Sequence, residues 1–259
     1  MRIFDINTSI GHWSFRKLAV DNLSKLRKQL ESAGITGAAV SNINGIFYKN
    51  CHDANIELAD WIGKKNDFFT GVATINPVYS QWEKDLRHCV DKFGFKAVRL
   101  LPVYHGYELG SKDADALLEV VADLDLPVFI PQRIVDLRQR HWMDVEKIVG
   151  FDDVYELAQR HPSAKIIFAE SVTSAETFKD KKDCKNLYVE ISRLRSSYGQ
   201  QISKLASTIG HDKLLFGSGS PFKEISPALL KLEHADLKKS EKDAIAYGNA
   251  IGILGLDQE

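Results

Sequence analysis

The chain has little that would tie it to an oxidising compartment, a membrane or a polyanion. Its 259 residues include three cysteines, Cys51, Cys89 and Cys184, an odd number with no Cys-x-x-Cys spacing. That excludes a disulfide framework and reads as the reduced thiols of a cytoplasmic protein. Positive and negative side chains nearly cancel, to a formal net charge of −1. Such a balance provides no long-range field to gather nucleic acid or an anionic membrane surface. No apolar run approaches the roughly 20 residues that a membrane span requires. The opening Met1-Arg2-Ile3-Phe4-Asp5 has one basic residue followed soon by an acid, so neither a signal peptide nor a transit peptide is expected. No Gly-x-Gly-x-x-Gly follows the first apolar run, which argues against a dinucleotide-binding fold.

What the chain does have is an alternation. Short apolar runs recur at Ile3–Ile6, Gly37–Val40, Thr70–Ile75, Ala97–Leu101, Pro127–Ile130, Lys165–Ala169, Leu187–Ile191 and Lys213–Phe216. Being apolar on both faces, they suit parallel strands covered by helices. Helical patterns fall between them at Val20–Ser32, Ala54–Lys65, Ser80–Phe93, Asp113–Leu124, Phe151–Arg160, Ala175–Lys182 and Ser203–Ile209. In the first, Leu23, Leu26 and Leu30 make a core-facing stripe. A last segment, Ser240–Leu256, opens with a Ser cap and fits an eighth helix. Eight strand–helix repeats at this length predict an α/β fold, a (β/α)8 TIM barrel formed as one domain over residues 1–259. The stretch Gln132–Gly150 is the longest strand-to-helix connection and is a candidate lid or pocket wall.

Several segments then carry a likeness. They are Ala54-Asn55-Ile56-Glu57-Leu58-Ala59, Gly71-Val72-Ala73-Thr74-Ile75-Asn76-Pro77 and Gly94-Phe95-Lys96-Ala97-Val98-Arg99-Leu100. Leu126-Pro127-Val128-Phe129-Ile130, His161-Pro162 before Lys165–Ala169, Leu214-Leu215-Phe216-Gly217-Ser218 and Gly248-Asn249-Ala250 continue it. In this order and spacing the chain resembles the amidohydrolase-related family of metal-dependent TIM-barrel hydrolases and decarboxylases, over nearly its whole length.

The resemblance implies a metal held by His-x-His after strand one, His after strand five and Asp after strand eight, with a further His after strand six. Carried over position by position, these fall on Asn7 and Ser9, on Pro131 (or Gln132, if the register slips by one), on Gly219 and on Glu170. All five depart from the pattern. Zinc requires imidazole, thiolate or carboxylate donors, so no tightly bound metal and no other cofactor is expected. Asp5 and Glu170, with the carbonyl oxygens of Asn7 and Gln132, leave room only for a weakly bound divalent ion. None of the eight histidines lies at the end of an expected strand.

In such barrels function sits at the C-terminal ends of the strands. Those ends present Asp5 and Asn7, Ser41 with Asn42 and Asn44, Asn76, Arg99 and, two turns further, Tyr104-His105, then Gln132-Arg133, Glu170-Ser171, Glu190 with Ser192-Arg193, and Ser218 with Ser220. The candidate catalytic residues are Glu170, Glu190 and Asp5, with Tyr104 or His105 as proton partner. The candidate substrate-binding residues are Asn7, Arg99, Gln132, Arg133, Arg193 and Ser218, the guanidinium groups being suited to gripping a carboxylate. The resemblance implies a hydrolase or lyase acting on a small carboxylated metabolite without a tightly bound metal. Two alternatives stay open: a catalytically inactive barrel that binds a small anion, and a structural partner. A homo-oligomer is compatible with either. The rim would also be accounted for by a salt-bridge network that satisfies only itself.

Overall fold

Each apolar run becomes a strand of one parallel sheet, since only a backbone bonded on both sides can be buried on both faces. The computed structural model describes residues 1–64, 66–181, 184–195 and 200–257. The strands are β1 Phe4–Ile10, β2 Gly37–Asn42, β3 Phe69–Thr74, β4 Ala97–Arg99, β5 Val128–Pro131, β6 Ile166–Ala169, β7 Leu187–Glu190 and β8 Leu214–Leu215. They pair in sequence order, all parallel. The amide of Ile6 donates to Phe216 O (3.0 Å), that of Ser9 to Ser220 O (2.9 Å) and that of Gly219 to Asn7 O (3.0 Å). The end of the β8 segment is thereby joined to β1, and the sheet closes as a TIM barrel.

The helices are α1 Leu23–Ser32, α2 Cys51–Ile62, α3 Trp82–Phe93, α4 Pro102–His105, α5 Lys112–Asp123, α6 Phe151–Arg160, α7 Gln200–Ile209, α8 Ser226–Glu233, α9 Lys239–Asp243 and α10 Asn249–Leu254. Asn22, Asn50 and Ser111 cap α1, α2 and α5 by accepting backbone N–H bonds. The period of two along the strands divides the core. Phe4, Ile6, Ala39, Val72, Ala97, Phe129, Ile167, Ala169 and Leu215 fill the barrel and meet α10. Ala38, Val40, Ala73, Val98, Val128, Ile166, Phe168, Val189 and Leu214 face the helices instead. Arg99 shares the face of Ala97, and Glu190 that of Tyr188, so both are directed inward.

Four sequence expectations change. The Ala175–Lys182 helix is a single 3-10 turn, Glu176–Phe178, and its Lys182 end, like Lys65 at the end of the second helical pattern, lies outside the described residues. The last helix is α9, a π-helical turn at Ala244–Gly248 and α10 in succession. Its cap is not Ser240: the Glu241 carboxylate reaches back to the Lys238 amide at 2.8 Å, a charge-assisted bond stronger than a hydroxyl provides. The helix α8 was not anticipated, because a buried lysine, Lys231, interrupts its apolar stripe.

Candidate functional site

The strand ends converge on Asn7. Its side-chain Nδ2 donates to Glu170 Oε1 (2.8 Å) and to Glu190 Oε2 (3.0 Å), while Oδ1 accepts from Arg99 Nη2 (2.9 Å). One neutral amide on β1 thus bridges two acids and a base from the ends of three other strands, β6, β7 and β4. Glu190 also accepts from the amide of Glu170 (3.1 Å), from Ser192 Oγ (2.9 Å) and from the Ser192 amide. The second oxygen of Glu170 takes a 2.6 Å bond from Arg193 Nε. Arg193 in turn donates to Ile134 O (2.9 Å) and lies 3.6 Å from Asp136.

Asp5 is fully buried beneath this group. Its Oδ1 accepts the backbone N–H groups of Asn7 (3.1 Å) and Ser218 (3.0 Å), tying β1 to the segment after β8. Its Oδ2 has no partner among protein atoms. Burial pushes the Asp5 carboxyl up to about 7, against the hydrogen bonds from Ser218 and Asn7 that favour the charged form. Burial also raises Glu170, with Arg193 opposing and the like charge of Glu190 reinforcing. Arg99 is pulled down to about 10 by burial, and the two glutamates counteract this.

Glycines make the room. A Cβ at Gly217 would come within 2.6 Å of Glu190 Cγ and Oε1. At Gly219 it would strike Glu170 Oε1 and stand 2.9 Å from Lys223 Cδ, and the backbone there is left-handed at φ +74°. Neither position accepts a side chain without moving a carboxylate. Lys223, in the loop after β8, has its Nζ shut from solvent and without a hydrogen-bond partner. The charges acting on it are those of Glu170, Glu190, Arg193 and Asp136, and burial lowers its basicity.

Of the residues picked out from sequence, Asp5, Asn7, Arg99, Glu170, Glu190, Arg193 and Ser218 come together at the barrel mouth. Ser218 does so through its backbone, its hydroxyl being taken up by the Ser220 amide at 3.0 Å. Gln132 braces the rim from the side by accepting the Val172 amide at 3.2 Å. Arg133 is half-buried with Nε unpartnered, near Arg193, Asp136 and Glu170. It lines an adjacent cleft with Leu101, Tyr104, Ile134, Arg140 and Asp144, so part of Gln132–Gly150 forms a pocket wall. Tyr104 donates to Asp144 Oδ1 at 3.0 Å. His105 is turned elsewhere: its Nε2 meets Gly45 O (3.0 Å) and Cys51 Sγ (3.6 Å). Those partners remove His105 from the carboxylate group. Cys51, pushed up to about 12 by burial, is no thiolate.

Sequence reasoning missed two lysines. Lys223 follows β8 by a few residues, and the rule that placed Ser218 and Ser220 at the rim would have found it. Lys231 has no such signal. It rises from α8 and donates to the carbonyls of Ile191 (2.8 Å), Ser192 (2.7 Å) and Leu194 (2.9 Å), fixing the turn that carries Arg193. Among the described residues there is no group of three or more His, Cys, Asp or Glu side chains placed to hold a metal ion, and no helix long and apolar enough to cross a membrane.

Solved structures with this architecture include 2,6-dihydroxybenzoate decarboxylase from Rhizobium (16% identity, 99% of each chain covered, TM-score 0.75). Another is 5-carboxyvanillate decarboxylase from Sphingomonas paucimobilis (12%, 99% of each, 0.76). A dihydroxybenzoic acid decarboxylase from a Polaromonas species, solved with bound manganese, covers 100% of this chain and 98% of its own (15%, 0.73). At these identities the likeness concerns the fold. No curated protein matches the chain by sequence. The amidohydrolase family profile, however, matches residues 21–256, and the chain belongs to that family.

Proposed function

We propose that this protein is a hydrolase or lyase that acts on a small carboxylated molecule at the barrel mouth, using buried carboxylates and cationic side chains in place of a tightly held metal. Similar structures are named for 2,6-dihydroxybenzoate and 5-carboxyvanillate, both small aromatic carboxylates. A third, the dihydroxybenzoic acid decarboxylase, holds manganese. The donor set of this chain does not fit such an ion. The position of the last ligand is Gly219, and the space of its missing side chain is taken by Glu170 and by the Lys223 stem. Asn7 spends its one oxygen on Arg99, and Glu170 is bonded to Arg193. Two cations, Arg99 and Arg193, already offset the charge of Glu170 and Glu190, so a divalent ion would meet repulsion there.

In this reading Glu170 is the proton-transfer group, since burial raises its basicity above that of an ordinary carboxylate. Asp5 orders the floor of the site. Arg133, half-exposed and with an unsatisfied donor, meets the substrate carboxylate. The observation that carries the reading is the occupation of the Gly219 space by Glu170 and Lys223.

A thermal-shift screen of small mono- and dicarboxylates tests it. At a concentration of about 100 Kd, ligand binding adds about 2.7 kcal/mol to the folded state. A rise in melting temperature is expected for the wild-type protein and its loss for Arg133→Ala, with Arg160→Ala as the surface control. No response to any carboxylate would leave the rim as an internal salt-bridge network.

A further inference from the structure

Two lysines are buried near the barrel mouth, and their ammonium groups are treated differently. Lys231 is saturated: three backbone carbonyls accept from its Nζ within 2.9 Å. Nothing is left over for chemistry. Lys223 Nζ is equally closed to solvent and makes no hydrogen bond. An ammonium has three donors and no acceptor, and leaving all three unmet in the interior is costly. The neutral amine avoids most of that cost and exposes a lone pair. Its stem crosses Gly219 near Glu170 Oε1, and Glu170 is the foremost negative charge acting on the amine, the group to exchange a proton with it once Nζ swings toward the carboxylate. Arg133, also with an unmet donor, lies within the electrostatic influence of the same Glu170, Asp136 and Arg193.

We infer that Lys223 is a nucleophilic amine that forms an imine with the carbonyl carbon of a small 2-oxo acid, whose carboxylate Arg133 holds. This deepens the proposed function and rests on it: the reaction would be that of an imine-forming lyase. The step balances without any further reagent. Lys223 gives its proton to Glu170, and the Nζ lone pair forms the N–C bond as the carbonyl π electrons pass to oxygen. That oxygen takes a proton from the attacking nitrogen, which became positively charged on forming the bond, to give the carbinolamine. Nitrogen then expels the hydroxyl group, which leaves as water with the proton returned by Glu170. One amine and one carbonyl become one C=N bond and one water. Once formed, the protonated imine withdraws electrons from the neighbouring C–C or C–H bond, the bond a lyase breaks.

The experiment is reductive trapping on the full chain. The protein is incubated with pyruvate or glyoxylate and cyanoborohydride, then digested and mapped by mass. The expected result is a single adduct concentrated on Lys223. It is lost in Lys223→Met and in Lys223→Arg, which keeps the positive charge, and is unchanged in Lys25→Arg on the surface. An adduct confined to exposed lysines, or one that persists in both Lys223 variants, overturns the inference, and the wild-type map decides even if a variant fails to fold. Carboxylates without a carbonyl group, such as succinate and benzoate, keep the two readings apart. If they raise the melting temperature through Arg133 while no adduct forms at Lys223, the imine step alone is wrong. If neither response occurs, both readings fall.

Discussion

Asn7 holds Glu170 through a 2.8 Å bond from Nδ2 to Oε1, and no charge passes between the two. The same nitrogen serves Glu190, and the amide oxygen is left for Arg99. An aspartate here would offer acceptors only, and an apolar residue nothing. Asn7 is therefore the residue that allows two glutamates to be buried side by side.

Asn7→Ala should leave both glutamates short of a donor and Arg99 short of an acceptor. Each buried group left unsatisfied costs about 1–3 kcal/mol, so urea unfolding is expected to show a loss of at least that size. Asn7→Asp, which adds a third acid, should cost more than Asn7→Ala. An unchanged urea midpoint in Asn7→Asp would mean that the acids are not ionised together.

Asp5 predicts a pH dependence of stability. Its folded pKa of about 7 lies above the ordinary value of 3.8, so between these limits the folded state binds more protons than the unfolded one. Stability from this group must then fall as pH rises from about 4 to 7 and level off above. Glu170, raised for the same reason, adds in the same direction. Asp5→Asn keeps an oxygen for the Asn7 and Ser218 amides and removes the titration. The difference in unfolding free energy between wild type and Asp5→Asn, measured from pH 5 to 8, should decline and then flatten near 7. A difference that grows with pH would contradict the burial argument.

Lys231→Met removes the donor of three carbonyls and frees the turn that carries Arg193. Hydrogen bonds to a charged group contribute about 1.5–3 kcal/mol each, so the variant should be strongly destabilised. Amide exchange should speed up through residues 191–194 before it does in β3 or β5. Unaltered exchange in that turn would show that Lys231 is not its anchor.

Elemental analysis of protein purified without chelator should find no stoichiometric zinc, manganese or iron, and chelator should not shift the melting temperature. The reason is the donor set at Asn7, Pro131, Glu170 and Gly219. Close to one transition-metal ion per chain would overturn it.

The barrel was legible in the sequence because its signal is local. A strand buried on both faces must be apolar throughout, as Val128-Phe129-Ile130 is, and eight such runs at this spacing leave few arrangements other than closure. The rim was legible for a related reason: the residue that ends a parallel strand lies at one known face. Asn7, Arg99, Glu170 and Glu190 could be assigned to a common mouth without knowing any distance.

Partnership was another matter. Which acid Arg193 meets, and that Asn7 joins two glutamates, depends on rotamers and on contacts between residues as much as 183 positions apart. His105 lay at the right face by position yet turned to Gly45, because α4 carries its ring away from the mouth. Lys231 became part of the site only when α8 packed its ammonium against the turn after β7. The sequence alone determined the fold and the face that carries the rim, since hydrophobic periodicity is a property of neighbours along the chain. Tertiary structure alone decided which charges are paired and which, like Lys223, are left without a partner. Compensating a buried charge depends on groups within hydrogen-bond reach in space, wherever they stand in the sequence.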